Sequence, residues 1–429
     1  MKKKYRIILY TSIFLLCVVA SIILVVKKSN SVYEEESKPK VVKHKSMLSM
    51  NLEQTAGSGD YKTVTQSSWP TEGYKFNAEL SKCENGSTLS WDDTKKAVIV
   101  SGNLSDKCYV YFDIYQPTLA EYIKSQYTGT QGENNIYYHD SDLANGAGDN
   151  SYRYAGANPN NFVCFGTTES PCPIDNLYRI IGVFGENYHG ANGKQLVKLI
   201  KYDYMTTDEL GTDGDYSQTY KEWGMDSTYK GTYGDGERIG VYYWNYKATG
   251  SATNTWSTSL LNKTNLNTNF INNIGTTWAN KIATVTWKVG GNTWANIGTK
   301  TSSVAYTNEI TNPVTTNTTD NATTYSAKIG LMYVSDYGFA ASPDAWTLTM
   351  SSYNNTTATN NNWMYMGLYE WTISRNADYS NRAFIVGSGG GVSYDSVTVY
   401  DGVRASFNLE SSVSYVSGSG SMSDPIVIN

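Results

Sequence analysis

Residues 363–409 read WMYMGLYEWTISRNADYSNRAFIVGSGGGVSYDSVTVYDGVRASFNL. Three apolar and aromatic runs, 363–371, 383–386 and 403–409, alternate with segments rich in Asn, Ser, Tyr, Asp and Gly. Short apolar runs bounded by such residues read as β-strands, and the polar segments as exposed loops or hairpin tips. The stretch therefore predicts a rigid β scaffold that presents an adaptable polar surface.

Two polar runs are the candidate ligand-binding residues. One holds Arg375, Asn376, Asp378, Tyr379 and Asn381; the other holds Ser393, Tyr394, Asp395, Ser396, Tyr400 and Asp401. Tyrosine offers a large contact at low entropic cost, and Ser, Gly and Asn adapt their hydrogen bonds around it. Trp363 and Trp371 sit within apolar strands and read as core. Glu370 has no second carboxylate at a defined spacing, so it reads as a structural partner, for Arg404 or for buried backbone, rather than half of an acid–base pair. The glycines at 389–391 lack a following Lys-Ser/Thr and read as a hairpin tip, not a phosphate cradle.

Composition sets the wider frame. Of 429 residues only 17% are charged, while aromatics reach 13%, with 36 Tyr and 11 Trp. That balance suits half-exposed strands. A net charge of −5 argues against a nucleic-acid partner, which calls for a basic face. Near the start, Lys2, Lys3, Lys4 and Arg6 precede an uncharged apolar run at 7–26, followed by Lys27 and Lys28. A run of this length spans a bilayer core, and the flanking charges place a short cytoplasmic tip at 1–6 and the body outside. The expectation is a single-pass cell-membrane protein with an extracellular body. A cleaved signal peptide is the competing reading.

Cys83, Cys108, Cys164 and Cys172 form two sequence-local pairs, and disulfides within each pair are the simplest of three connectivities. With three His in the chain and no C-x-x-C spacing, neither a metal site nor a cofactor is expected. Residues 27–70 read as a polar stalk, with a weakly signalled helix near 46–54. Residues 71–117 read as a small β module: a hairpin from 87–91 and 97–100, and a third strand at 108–114. The Cys83–Cys108 tie suits so small a core. Residues 118–160 read as a linker, with a helix at 118–127 capped by Thr118 and then a loop without apolar periodicity. From 161 onward come strands at 162–166, 176–184, 195–205, 283–289 and 328–334. Helical spacing marks 256–274, with a second short helix around Trp278 and Ile282. Residues 296–326 and 351–362 read as exposed polar insertions.

The phrases NLYRIIGVF, TWSTSLLN, KIGLMYVSDYGFA, NWMYMGLYEWTISR and GVRASFNL carry a resemblance over roughly residues 160–429. They resemble surface proteins of gut Firmicutes whose C-terminal region is similar to the C-type-lectin-like fold shared with formylglycine-generating-enzyme-like proteins. The same layout is seen in variable proteins of diversity-generating retroelements. Its most specific part is EWT at 370–372, then a hairpin, then GVR at 402–404. Separately, the two-cysteine phrase CENGSTLSWDD…KCYVYF resembles a small β unit of similar surface proteins. The resemblance implies a C-type-lectin-like domain at 161–429. It does not imply the enzymatic relatives' chemistry, because no Cys follows Cys172 and no His follows His189. The Glu-Pro-Asn and Gln-Pro-Asp phrases of calcium-dependent sugar binders are absent as well.

The combined expectation is an α+β protein with an N-terminal transmembrane helix, a small disulfide-tied β module and a C-type-lectin-like domain with antiparallel strands and two helices. The function expected is non-catalytic binding or adhesion to a protein or glycan outside the cell. The alternatives are a structural envelope protein without a dedicated pocket and an extracellular glycan hydrolase.

Overall fold

The structure is a computed structural model that describes residues 48–65, 68–70, 73–103, 105–224, 227–234, 236–246, 252–313, 322–354 and 356–429. Two compact units divide the chain, one ending at Tyr115 and the other comprising Gln116–Asn429.

In the first unit a four-stranded sheet runs in the order Tyr61–Val64, Leu48–Glu53, Cys108–Ile114, Tyr74–Cys83. Its buried core is small: Met50, Leu52, Val110 and Phe112. Trp69 and Trp91 pack on the Phe112 ring, at 5.9 and 5.5 Å between centroids. Cys83 and Cys108 are register partners on neighbouring strands and are disulfide-bonded. The expected hairpin forms between Thr88–Asp92 and Ala97–Ser101, turned by Asp92, whose Oδ1 accepts the N–H groups of Thr94 and Lys95. The expected stalk is corrected from residue 48 onward. Leu48–Glu53 and Tyr61–Val64 are sheet strands, and Met50 and Leu52, set two apart, supply half of the buried core.

The second unit holds two seven-stranded sheets. The first runs Ile329–Gly330, Ser406–Asn408, Leu196–Lys201, Leu177–Phe184, Ser151–Tyr154, Ile136–His139, with Phe162–Cys164 also paired to Leu177–Phe184. The second runs Tyr216–Thr219, Gly240–Tyr243, Tyr400–Gly402, Glu370–Asn376, Arg382–Val386, Val392–Ser396, with Gly291–Asn292 beside Glu370–Asn376. Both sheets are covered on both faces. Ile180 and Ile385 enter one apolar cluster, while their neighbours Ile181 and Phe384 enter another. This is why Leu177–Phe184 is buried at every position and reads as apolar apart from Arg179, which donates to Asn161 and the Pro159 carbonyl. The chain passes from the second sheet to the first through residues 403–405, and everything from Asp401 to Leu409 is buried. Cys164 and Cys172 are disulfide-bonded.

The expected α+β architecture with two helices is corrected. The molecule is mostly β-sheet, and its helices are short. Leu119–Ser125 forms as expected, capped by Thr118 with Glu121 bonding back to the cap. The helical spacing at 256–274 resolves into a wide π-type helix, Leu261–Phe270, followed by Ile271–Ala279. Asn265, inside the first, is fully buried because its amide donates to the carbonyls of Leu210 and Asp213. Segments this short add turns to the two sheets rather than a helical layer of their own.

The expected loop at 128–160 supplies two strands. Arg153 lies fully within the core, where its guanidinium donates to Asp149 at 2.7 Å and sits over the Phe184, Tyr306 and Phe339 rings. Ser302–Tyr306 is a helix with Ala305 and Tyr306 buried, which corrects the exposed reading of that part of 296–326. Within 351–362, Tyr353 is fully buried.

The structure does not support the expected single-pass anchor or the cell-membrane localisation built on it. No helix among the described residues is long and apolar enough to cross a membrane, and the run at 7–26 lies outside them.

Candidate functional site

The strands Glu370–Asn376, Arg382–Val386 and Val392–Ser396 form an antiparallel meander. Because Arg382 pairs with Ser396, the chain leaves the third strand beside the point where it enters the second. The loop at 377–381 and the turn after Ser396 are therefore neighbours, and the Val397 N–H donates to the Asn381 carbonyl at 2.9 Å. The glycine run closes the opposite end of the meander as a hairpin tip, with the Gly387 N–H bonded to the Gly391 carbonyl.

The loop is held from inside. Asn376 Oδ1 accepts the N–H groups of Asp378 and Tyr379 at 2.7 and 3.3 Å, so the chain turns immediately after the strand. Asn254, fully buried, donates its amide to the carbonyls of Asn376, Tyr379 and Arg382 at 2.7, 3.0 and 2.7 Å. Asp378 Oδ2 accepts the Trp294 N–H at 3.0 Å and draws a distant loop alongside.

On this frame stands a stack of rings and one cation. Tyr379 is 46% exposed. Its ring lies 5.8 Å from that of Tyr394, and Trp294 meets Tyr394 edge-on at 5.5 Å. The Arg382 guanidinium lies over both tyrosines, 4.4 Å from the Tyr379 centroid and 5.1 Å from that of Tyr394. Cation–π attraction orients the guanidinium without neutralising it. Behind the stack, Phe384 is fully buried and anchors Tyr394 from the core side.

The structure thus joins Asp378, Tyr379, Asn381, Tyr394 and Ser396 in one surface, to which Arg382 and Trp294 also belong. Ser393 and Asp395 alternate with Tyr394 and Ser396 along the strand, so their side chains take its other face. Tyr400 belongs to a second aromatic group, with its ring 5.6 Å from Trp223 and 5.7 Å from Tyr243. The expectation of ligand-facing side chains is corrected for Arg375, Asn376 and Asp401, which are 2%, 1% and 1% exposed. Each lies on a central strand of a sheet covered on both faces.

Asp401 is unusual within that interior. Its Oδ2 has no hydrogen-bond partner among the described residues, and burial, with a smaller contribution from the Asp395 charge, pushes its carboxyl well above the ordinary range. Glu370 is also pushed up by burial, but Arg404 opposes the shift. Arg404 donates to both Glu370 oxygens at 2.8 and 2.9 Å, so this pair ties the strand Glu370–Asn376 to the segment that crosses between the sheets.

Sequence reasoning missed Trp294, Arg382 and Asn254. Arg382 lies between the two chosen runs, next to the apolar run at 383–386, and has no local signal of its own. Trp294 and Asn254 come from remote segments with no local signal. No family model, curated protein or solved structure matches the chain.

Proposed function

We propose that this is a non-catalytic binding protein whose Gln116–Asn429 unit recognises a protein or glycan through the surface formed by Tyr379, Arg382, Tyr394 and Trp294. The observation that carries the reading is the partly exposed Tyr379–Arg382–Tyr394 stack, held in shape by the buried amides of Asn254 and Asn376. Rigid aromatic anchors with adaptable Ser and Asn neighbours are the ingredients of a recognition surface, and pre-organisation lowers the entropy lost on binding. The resemblance to C-type-lectin-like domains is part of the proposal. It rests on the two most specific phrases, EWT and GVR, which meet in the Glu370–Arg404 ion pair. A hydrolase reading gains less support, because the buried Asp401 carboxyl does not reach solvent to share a glycosidic bond with Asp395.

The test is binding of the whole chain to glycan and protein arrays, beside a Tyr379→Ala/Tyr394→Ala variant. The expected result is a specific signal that the variant loses while its circular dichroism shows it still folded. An array with no signal above background contradicts the proposal.

A further inference from the structure

The arginines of the second unit divide by what their guanidinium groups touch. Arg153 and Arg404 donate to buried carboxylates, Arg179 to Asn161 and the Pro159 carbonyl, and Arg238 to Asp175, while Arg375 is enclosed in the core at 2% exposure. Arg382 differs. Its guanidinium makes no ion pair and donates no hydrogen bond among the described residues, yet two tyrosine rings fix its position. Asp378, the nearest acid in sequence, is occupied by the Trp294 N–H. Asp395 lies on the other face of the neighbouring strand and receives the Ser396 N–H.

A planar guanidinium carries five donors in a fork that matches a carboxylate, and it is less strongly hydrated than an ammonium group. Stacking on Tyr379 and Tyr394 leaves that fork's edge for a ligand. Beside it, the exposed Tyr379 ring and the half-buried Trp294 ring supply apolar contact. Ser396 Oγ, 2.8 Å from Thr398 Oγ1, and the exposed Asn381 supply hydroxyl and amide partners. A ring-shaped ligand with an apolar face, hydroxyls at its edge and a carboxylate matches this set. An acidic peptide would use the cation and leave the flat rings without a matching partner.

We infer that the Tyr379–Arg382–Tyr394 surface takes a carboxylate-bearing glycan, with Arg382 receiving the carboxylate and the aromatic rings receiving the sugar face. This rests on the binding reading above and names its ligand class.

The experiment titrates the whole chain with polygalacturonate, with the neutral glycan dextran, and with poly-glutamate. Wild type is compared with Arg382→Gln and with Tyr379→Ala/Tyr394→Ala, each checked by circular dichroism to be folded. The expected result is binding to polygalacturonate above both other probes, weakened roughly tenfold to a hundredfold by Arg382→Gln, as for loss of a charge-assisted bidentate contact. Dextran binding that the double variant abolishes and Arg382→Gln leaves intact overturns the carboxylate assignment and keeps the binding reading. Poly-glutamate bound as well as polygalacturonate, or polygalacturonate binding insensitive to Arg382→Gln, overturns the assignment too. If no probe binds and the arrays are also blank, both readings fail.

Discussion

Arg404 and Arg382 belong to the same C-terminal stretch and have opposite fates. Arg404 is 1% exposed on its side chain, and its charge is consumed by Glu370. Arg382 is half-buried, and its charge is held between two rings without a counter-ion among the described residues. The difference teaches how to tell a structural cation from a recognition cation. Removing a charge from water is costly, so a buried arginine persists only with its partner in place. An arginine that is positioned but not neutralised keeps its electrostatic energy for something outside the chain.

The largest expected effect breaks the first half of that contrast. Glu370→Ala leaves the Arg404 guanidinium buried without its carboxylate, and such a deletion costs about 3–5 kcal/mol. Denaturant unfolding followed by circular dichroism should show a loss of that order; an unchanged midpoint would mean that the pair is not structural. Next comes Asn254→Ala, which strips the amide donor from three loop carbonyls and should cost about 1–3 kcal/mol. Array binding should fall with it, because the loop carrying Tyr379 loses its support; full binding in this variant would separate loop order from recognition.

Asp401 sharpens the comparison from the acidic side. Its carboxyl titrates well above the ordinary range in the folded chain, while the unfolded chain ionises near 3.9. The stability it contributes is therefore fully present below about pH 4 and falls as pH rises toward the raised value, because only the unfolded chain releases the proton freely. Asn does not titrate. The thermal midpoint of Asp401→Asn minus that of wild type should become more positive from pH 4 to pH 8, and a constant difference would refute the assignment. The smallest effect on stability belongs to Arg382→Gln, at most about 1 kcal/mol, as for loss of cation–π contacts at a partly exposed site.

How much of this was legible in the sequence depends on where polarity lay. Leu177–Phe184 and Arg382–Val386 announce themselves because apolar residues dominate them, with Arg179 and Arg382 the charged exceptions. Ile136–His139 and Ser151–Tyr154 do not, because His139, Asp149 and Arg153 carry polar groups into the core, where they meet partners that a local pattern cannot show. The same blindness explains the candidate site. The tyrosines and asparagines of the two loops marked the region. Burial of Arg375, Asn376 and Asp401 follows from strands that flank them in space, not in sequence. Trp294 and Asn254 reach the site through tertiary hydrogen bonds and, for Trp294, a ring contact with Tyr394.

The most direct test of the central claim is amide hydrogen exchange of the whole chain, with and without the array ligand that gives the strongest specific signal. Slowed exchange concentrated at 377–382 and 393–398 is the predicted result. Protection confined to the second aromatic group around Trp223, Tyr243 and Tyr400, with those two segments unchanged, would contradict it.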